Sequence, residues 1–171
     1  MGATRKAATK AAGKGGQKKG TTTVSAKIRA KLGHPVVDSD GHWLETHPVF
    51  RQYIDAVAGP AMVERYQKVY GSVQGSWYDM TPAQRQAVRI RRPGWWGLPV
   101  KNVDRAAAMI PRLFRDKLDD WGIDVALVYP TLGFGLVREI PDEELLEASV
   151  KAYNVMVADL FKDCGDRVIA A

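Results

Sequence analysis

Asp38, Asp40 and His42 stand two residues apart in the run Val36-Val37-Asp38-Ser39-Asp40-Gly41-His42-Trp43-Leu44-Glu45. The run opens as a short apolar strand, and side chains alternate faces along a strand with period two. All three polar groups are therefore expected on one face. Carboxylates and an imidazole converging at the end of a strand are what a divalent metal site needs. The competing reading is a strand that runs into a turn, with Asp40-Gly41 shaping the backbone. Residue types alone leave both open, and the elements around the run must decide between them.

The next element is a helix from His47 to Ala58 with Thr46 as its cap and Pro48 in the first turn. Phe50, Ile54 and Val57 fall on one face of it, and Gly59-Pro60 stops it. A second helix carries Met62, Tyr66 and Val69 and ends at Gly71. Both stripes read as core. His47 reads as a surface or capping residue, and Glu45 either as a contact to a metal or base or as the start of the helix.

Thr81-Pro82 opens a short helix, and Arg89 to Pro99 follows with Arg91, Arg92, Trp95 and Trp96 close together. Arginine beside tryptophan can hold an anionic or aromatic substrate by charge and stacking. The same residues also suit a covered apolar surface with solvated cations. A helical stripe of Val103, Ala107, Ile110, Phe114, Leu118 and Trp121 comes next, interrupted by Pro111 and ended by Gly122.

Ile123 to Pro130 is nearly all apolar and β-branched, the pattern of a strand buried on both faces of a parallel sheet. Thr131 to Gly135 is expected as the loop at its C-terminal end. Its Gly-x-Gly is only a piece of a nucleotide fingerprint. Pro141 with Asp142, Glu143 and Glu144 starts a long helix, whose buried stripe is expected at Leu146, Val150, Tyr153, Val157 and Leu160. Arg167 to Ala171 begins a further strand.

Strand, helical excursion, strand, helix, strand is the alternation of an α/β fold with a parallel sheet. In such folds sites gather at the C-terminal ends of strands. Asp40, His42 and the Tyr129–Gly135 segment fall there, which favours the site over the turn.

Composition sets the outer bounds. The chain has 171 residues, 46% hydrophobic and 26% charged, enough for one ordinary domain. No apolar run approaches the roughly 18 residues of a membrane span, so no membrane partner is expected. The net charge of +6 belongs to one end: nine of the 25 basic residues and no acidic one precede position 35. The other 16 face all 19 acidic residues, a net of −3. Residues 1–25 are mostly Ala, Gly, Lys and Thr and are expected to be a disordered basic tail. It reads as a solubilising leader or as a polycation that holds nucleic acid loosely. Residues 26–171 form the domain. Cys164, the single cysteine, lacks a cationic neighbour in its own run, and reads as structural in a reducing cytoplasm.

The run from Val37 to Glu45 resembles the first-strand motif of the amidohydrolase superfamily, specifically its "amidohydrolase 2" branch. That branch holds metal-dependent hydrolases and the decarboxylases related to aminocarboxymuconate semialdehyde decarboxylase. The resemblance continues through Asp104-Arg105-Ala106 to Asp119, Trp121-Gly122-Ile123-Asp124, Tyr129 to Gly133 and Ala152-Tyr153-Asn154. It implies the N-terminal portion of a TIM-like (β/α)8 barrel, with a divalent metal at the C-terminal mouth, zinc by preference and manganese as an alternative.

The family's His-x-His is matched here by Asp40 and His42 as metal ligands, with Asp38 as support and Tyr129 beside the substrate. The implied activity is hydrolysis of a small organic substrate, or decarboxylation by the same machinery. The family's later histidines have no match after His47. An incomplete barrel is therefore expected, either noncatalytic or completed by further chain or by a homo-oligomer.

Overall fold

The computed structural model describes residues 22–70, 80–88 and 102–171. It is a mixed α/β fold around a parallel sheet, with strand order β1-β2-β3: β1 is Val37–His42, β2 Val125–Tyr129 and β3 Val168–Ala170. Helix α1 (Val24–Arg29) precedes β1. Between β1 and β2 come α2 (His47–Ala58), α3 (Pro60–Tyr70), α4 (Pro82–Val88), α5 (Asn102–Met109) and α6 (Pro111–Trp121). Helices α7 (Leu132–Glu139) and α8 (Glu143–Phe161) join β2 to β3.

Local chemistry sets most of these ends. Helix α2 takes the predicted bounds, although the Thr46 side chain makes no capping bond. Pro111 splits the long helical pattern: Ile110 is extended (φ −122°, ψ 107°) and α6 restarts with proline in its first turn. The restart breaks the predicted stripe. Ala107, Phe114 and Leu118 are buried, whereas Val103 and Ile110 are exposed. Asp142 caps α8 by accepting from Leu145 N at 3.1 Å, and also receives the Arg65 guanidinium from α3.

Helix α8 buries Leu145, Ala148, Ser149, Ala152, Tyr153 and Met156. The buried face is rotated by about one position from the predicted stripe, and Val150 is exposed. Three of these buried side chains, at 148, 149 and 152, are small, and the helix packs against α2 through contacts such as Phe50 with Tyr153. Phe50 and Ile54 of α2 are fully enclosed there, each burial contributing about 2 kcal/mol.

β2 alternates half-buried and buried positions instead of being enclosed on both sides. Ala126 and Val128 face the helices with Val168 of β3, while Ile169 stays 49% exposed. The register places Val37, Val125, Leu127 and Ile169 on the opposite, open face.

The N-terminal ends of the strands are tied by α1. Arg29 grips Asp124 with two guanidinium nitrogens, and Asp124 also accepts from Val36 N at 2.7 Å. Gly122 is left-handed (φ 71°), and a Cβ there would lie 2.6 Å from the Ser25 carbonyl oxygen. Both its conformation and the approach of α1 need glycine. Helix α1 starts at Val24, with the Thr23 hydroxyl capping it by accepting from Ala26 N at 3.1 Å.

Among the described residues no helix is long and apolar enough to cross a membrane. Cys164 is buried, and burial is the main influence raising its thiol pKa.

Candidate functional site

β1 does not run regularly into its C-terminal end. Asp38 pairs with Ala126 and Gly41 with Val128, so three steps along β1 match two along β2. One extra residue makes a bulge, with Ser39 and Asp40 opposite Leu127. Asp40 N donates to Asp38 Oδ1 at 3.1 Å, a local Asx contact that fits the kink.

The bulge reverses the alternation. Asp38 and Gly41 lie on the helix-facing side with Ala126 and Val128. His42 pairs with Tyr129 on the open side. Asp38, Asp40 and His42 therefore do not share a face, as strict period two had predicted. Asp40 and His42 remain together, and Asp38 is separated from them by the sheet.

His42 is half-buried and Asp40 exposed. The His42 ring sits 6.2 Å, centroid to centroid, from Tyr129 at a 48° tilt. Its Nδ1 is 3.5 Å from Thr131 Oγ1, a long contact. Thr131 is the N-cap residue of α7, yet its side chain does not cap that helix. The segment expected as a loop after Tyr129 is thus mostly this helix, beginning at Leu132.

Beneath them lies a buried polar layer that residue types did not reveal. Glu45 is 7% exposed and His47 3% exposed. The Glu45 carboxylate accepts from the backbone N–H groups of Thr131, Leu132 and Gly133, and from Tyr153 Oη at 2.7 Å. It serves the start of a helix, but of α7 rather than of α2. Burial, then the Glu45 charge, raises the Tyr153 hydroxyl pKa.

His47 is no surface residue. Its Nδ1 is 2.6 Å from Tyr66 Oη, and its ring lies against Tyr66 and Tyr70. Burial is the main reason that the Tyr66 hydroxyl pKa rises. The Tyr70 hydroxyl is buried with no hydrogen bond of ordinary geometry; burial first and the nearby Glu139 charge second raise its pKa. The signal for this layer was in the sequence. Glu45 follows Trp43 and Leu44, both buried, and a carboxylate in such company must find donors.

Among the described residues no three His, Cys, Asp or Glu side chains form a group that could hold a metal ion. A mononuclear site ordinarily takes three protein ligands, and the open face offers Asp40 and His42. The donor set seen here does not fit zinc or manganese by itself. Arg91, Arg92, Trp95 and Trp96 lie outside the described residues, as does most of the basic tail.

No family model matches the chain, and no curated protein or solved structure matches it either.

Proposed function

We propose that the chain carries the first-strand part of the active site of an amidohydrolase-type hydrolase, built on a TIM-like (β/α)8 barrel and acting on a small organic substrate. The supporting observation is the placement of Asp40 and His42. Both stand on the open side towards the C-terminal end of a parallel strand, His42 beside Tyr129 and Thr131. That edge is where α/β folds assemble their chemistry. A carboxylate and an imidazole there can hold and move a proton at a substrate atom. The divalent metal that the resemblance implies would need donors beyond these two, so no step is assigned to it.

The test uses the full chain, purified without chelator. Metal content is measured by mass spectrometry, and turnover on a panel of aromatic carboxylic acids and cyclic amides. Metal that is retained by the wild type and lost in Asp40→Ala and His42→Ala supports the proposal, as does turnover lost in both variants. Release of carbon dioxide in place of a hydrolysis product would assign the chain to the carboxy-lyases. Equal metal in all three proteins with no turnover would leave the noncatalytic reading.

A further inference from the structure

The contacts of Glu45 tie together the ends of two strands. Glu45 lies three residues beyond His42, on the segment leaving β1. Its Oε2 accepts from Thr131 N at 3.0 Å and Leu132 N at 2.9 Å, and its Oε1 from Gly133 N at 3.3 Å and Tyr153 Oη at 2.7 Å. Three of these donors are amides at the start of α7, the groups that a helix leaves without partners of its own.

A threonine in the N-cap position ordinarily satisfies such amides with its own hydroxyl. Here Glu45 takes that role from a different loop, and Thr131 Oγ1 is turned toward His42 Nδ1 instead. Gly133 completes the arrangement. A Cβ there would fall 2.8 Å from Pro130 Cβ and 2.9 Å from the Tyr153 ring, so a larger residue would push the α7 start away from Glu45.

We infer that Glu45 is a positioning residue for this mouth: by capping α7 from the β1 side it frees the Thr131 hydroxyl to orient the His42 imidazole. The inference rests on the reading of Asp40 and His42 as the functional edge. It concerns the geometry of that edge, however, and needs neither metal nor substrate to be tested.

The experiment is side-chain NMR of the His42 ring in the full chain, at one fixed pH, with hydrogen exchange of the Leu132 and Gly133 amides. His42 is assigned with His42→Gln, since the chain holds three histidines. Glu45→Gln keeps the size of the side chain but turns an amide donor toward the backbone N–H groups. It should speed exchange at Leu132 and Gly133 by about tenfold or more, and shift the His42 ring nitrogens as Thr131 returns to capping its own helix.

Thr131→Val removes only the hydroxyl. It should shift the same ring signals while leaving amide exchange and the melting temperature near those of the wild type. His42 ring signals unchanged in a folded Thr131→Val protein would overturn the inference, whether or not Glu45→Gln folds. Absence of metal and turnover in the wild type would count against the proposed function and leave this result standing.

Discussion

Asp38 and Gly41 face the same side of β1, although they stand an odd number of positions apart. A Cβ built on Gly41 would lie 3.4 Å from Asp38 Oδ2 and 3.2 Å from Val128 Cγ1. The bulge between them is what carries Asp38 to the helix-facing side and leaves Asp40 and His42 on the other. The composition of the candidate site thus depends on one inserted residue.

Gly41 makes that bulge possible. The space that a side chain would need there is already filled, since a Cβ would come within 2.7 Å of the Leu127 carbonyl oxygen, a backbone atom of the neighbouring strand. Gly41→Ala should therefore force β1 and β2 apart and cost about 1–3 kcal/mol. Urea denaturation checks this. A midpoint within error of the wild type would show that the pairing yields without loss.

How much could be read in advance follows from the range of each interaction. Pro111 and Gly122 act on their own backbone, and the helix ends that they set were legible, whereas the start expected with Pro141 in the first turn falls two residues later, behind Asp142 as N-cap. Parallel β alternation with helices was legible too, because it depends on pattern alone. The Asp38 bulge was not, since register is decided by pairing with β2, which lies more than 80 residues away in the chain. That Glu45 needs donors could be read from its apolar neighbours, but which donors could not, for the same reason: Thr131 and Tyr153 come from the start of α7 and from α8. On α8, Leu145 and Leu146 are equally apolar. Only packing against elements distant in the chain, such as the Phe50–Tyr153 ring contact with α2, selects the face containing Leu145.

The clamp at the opposite end of the sheet predicts a pH dependence. Asp124 is held below the usual carboxylate range, first by the hydrogen bond from Arg29 and then by that from Val36 N. Asp142 and Asp166 are lowered chiefly by Arg65 and Arg115. A depressed folded pKa means that the unfolded chain binds the proton more readily. The stability this supplies is present above the unfolded value, about 3.9, and is lost as pH falls through the folded value. Asp124→Asn should accordingly lower the melting temperature at neutral pH, with the gap from the wild type narrowing below about pH 4. A gap that stays constant down to about pH 2 would remove Asp124 as its source.

Adjacent residues of β3 test the sidedness of the sheet. Val168 is 1% exposed and faces the helices, whereas Ile169 is 49% exposed on the open face with Leu127. Val168→Ala removes buried methyl groups from a packed layer and should cost about 2 kcal/mol. Ile169→Ala deletes more carbon but begins half in solvent, so its cost should stay below about 1 kcal/mol. Chemical denaturation of both variants reads the difference directly. Should Ile169→Ala prove the more costly, the open face would have to be covered in solution, and Asp40 and His42 would then stand at the rim of an enclosed space rather than on an exposed sheet.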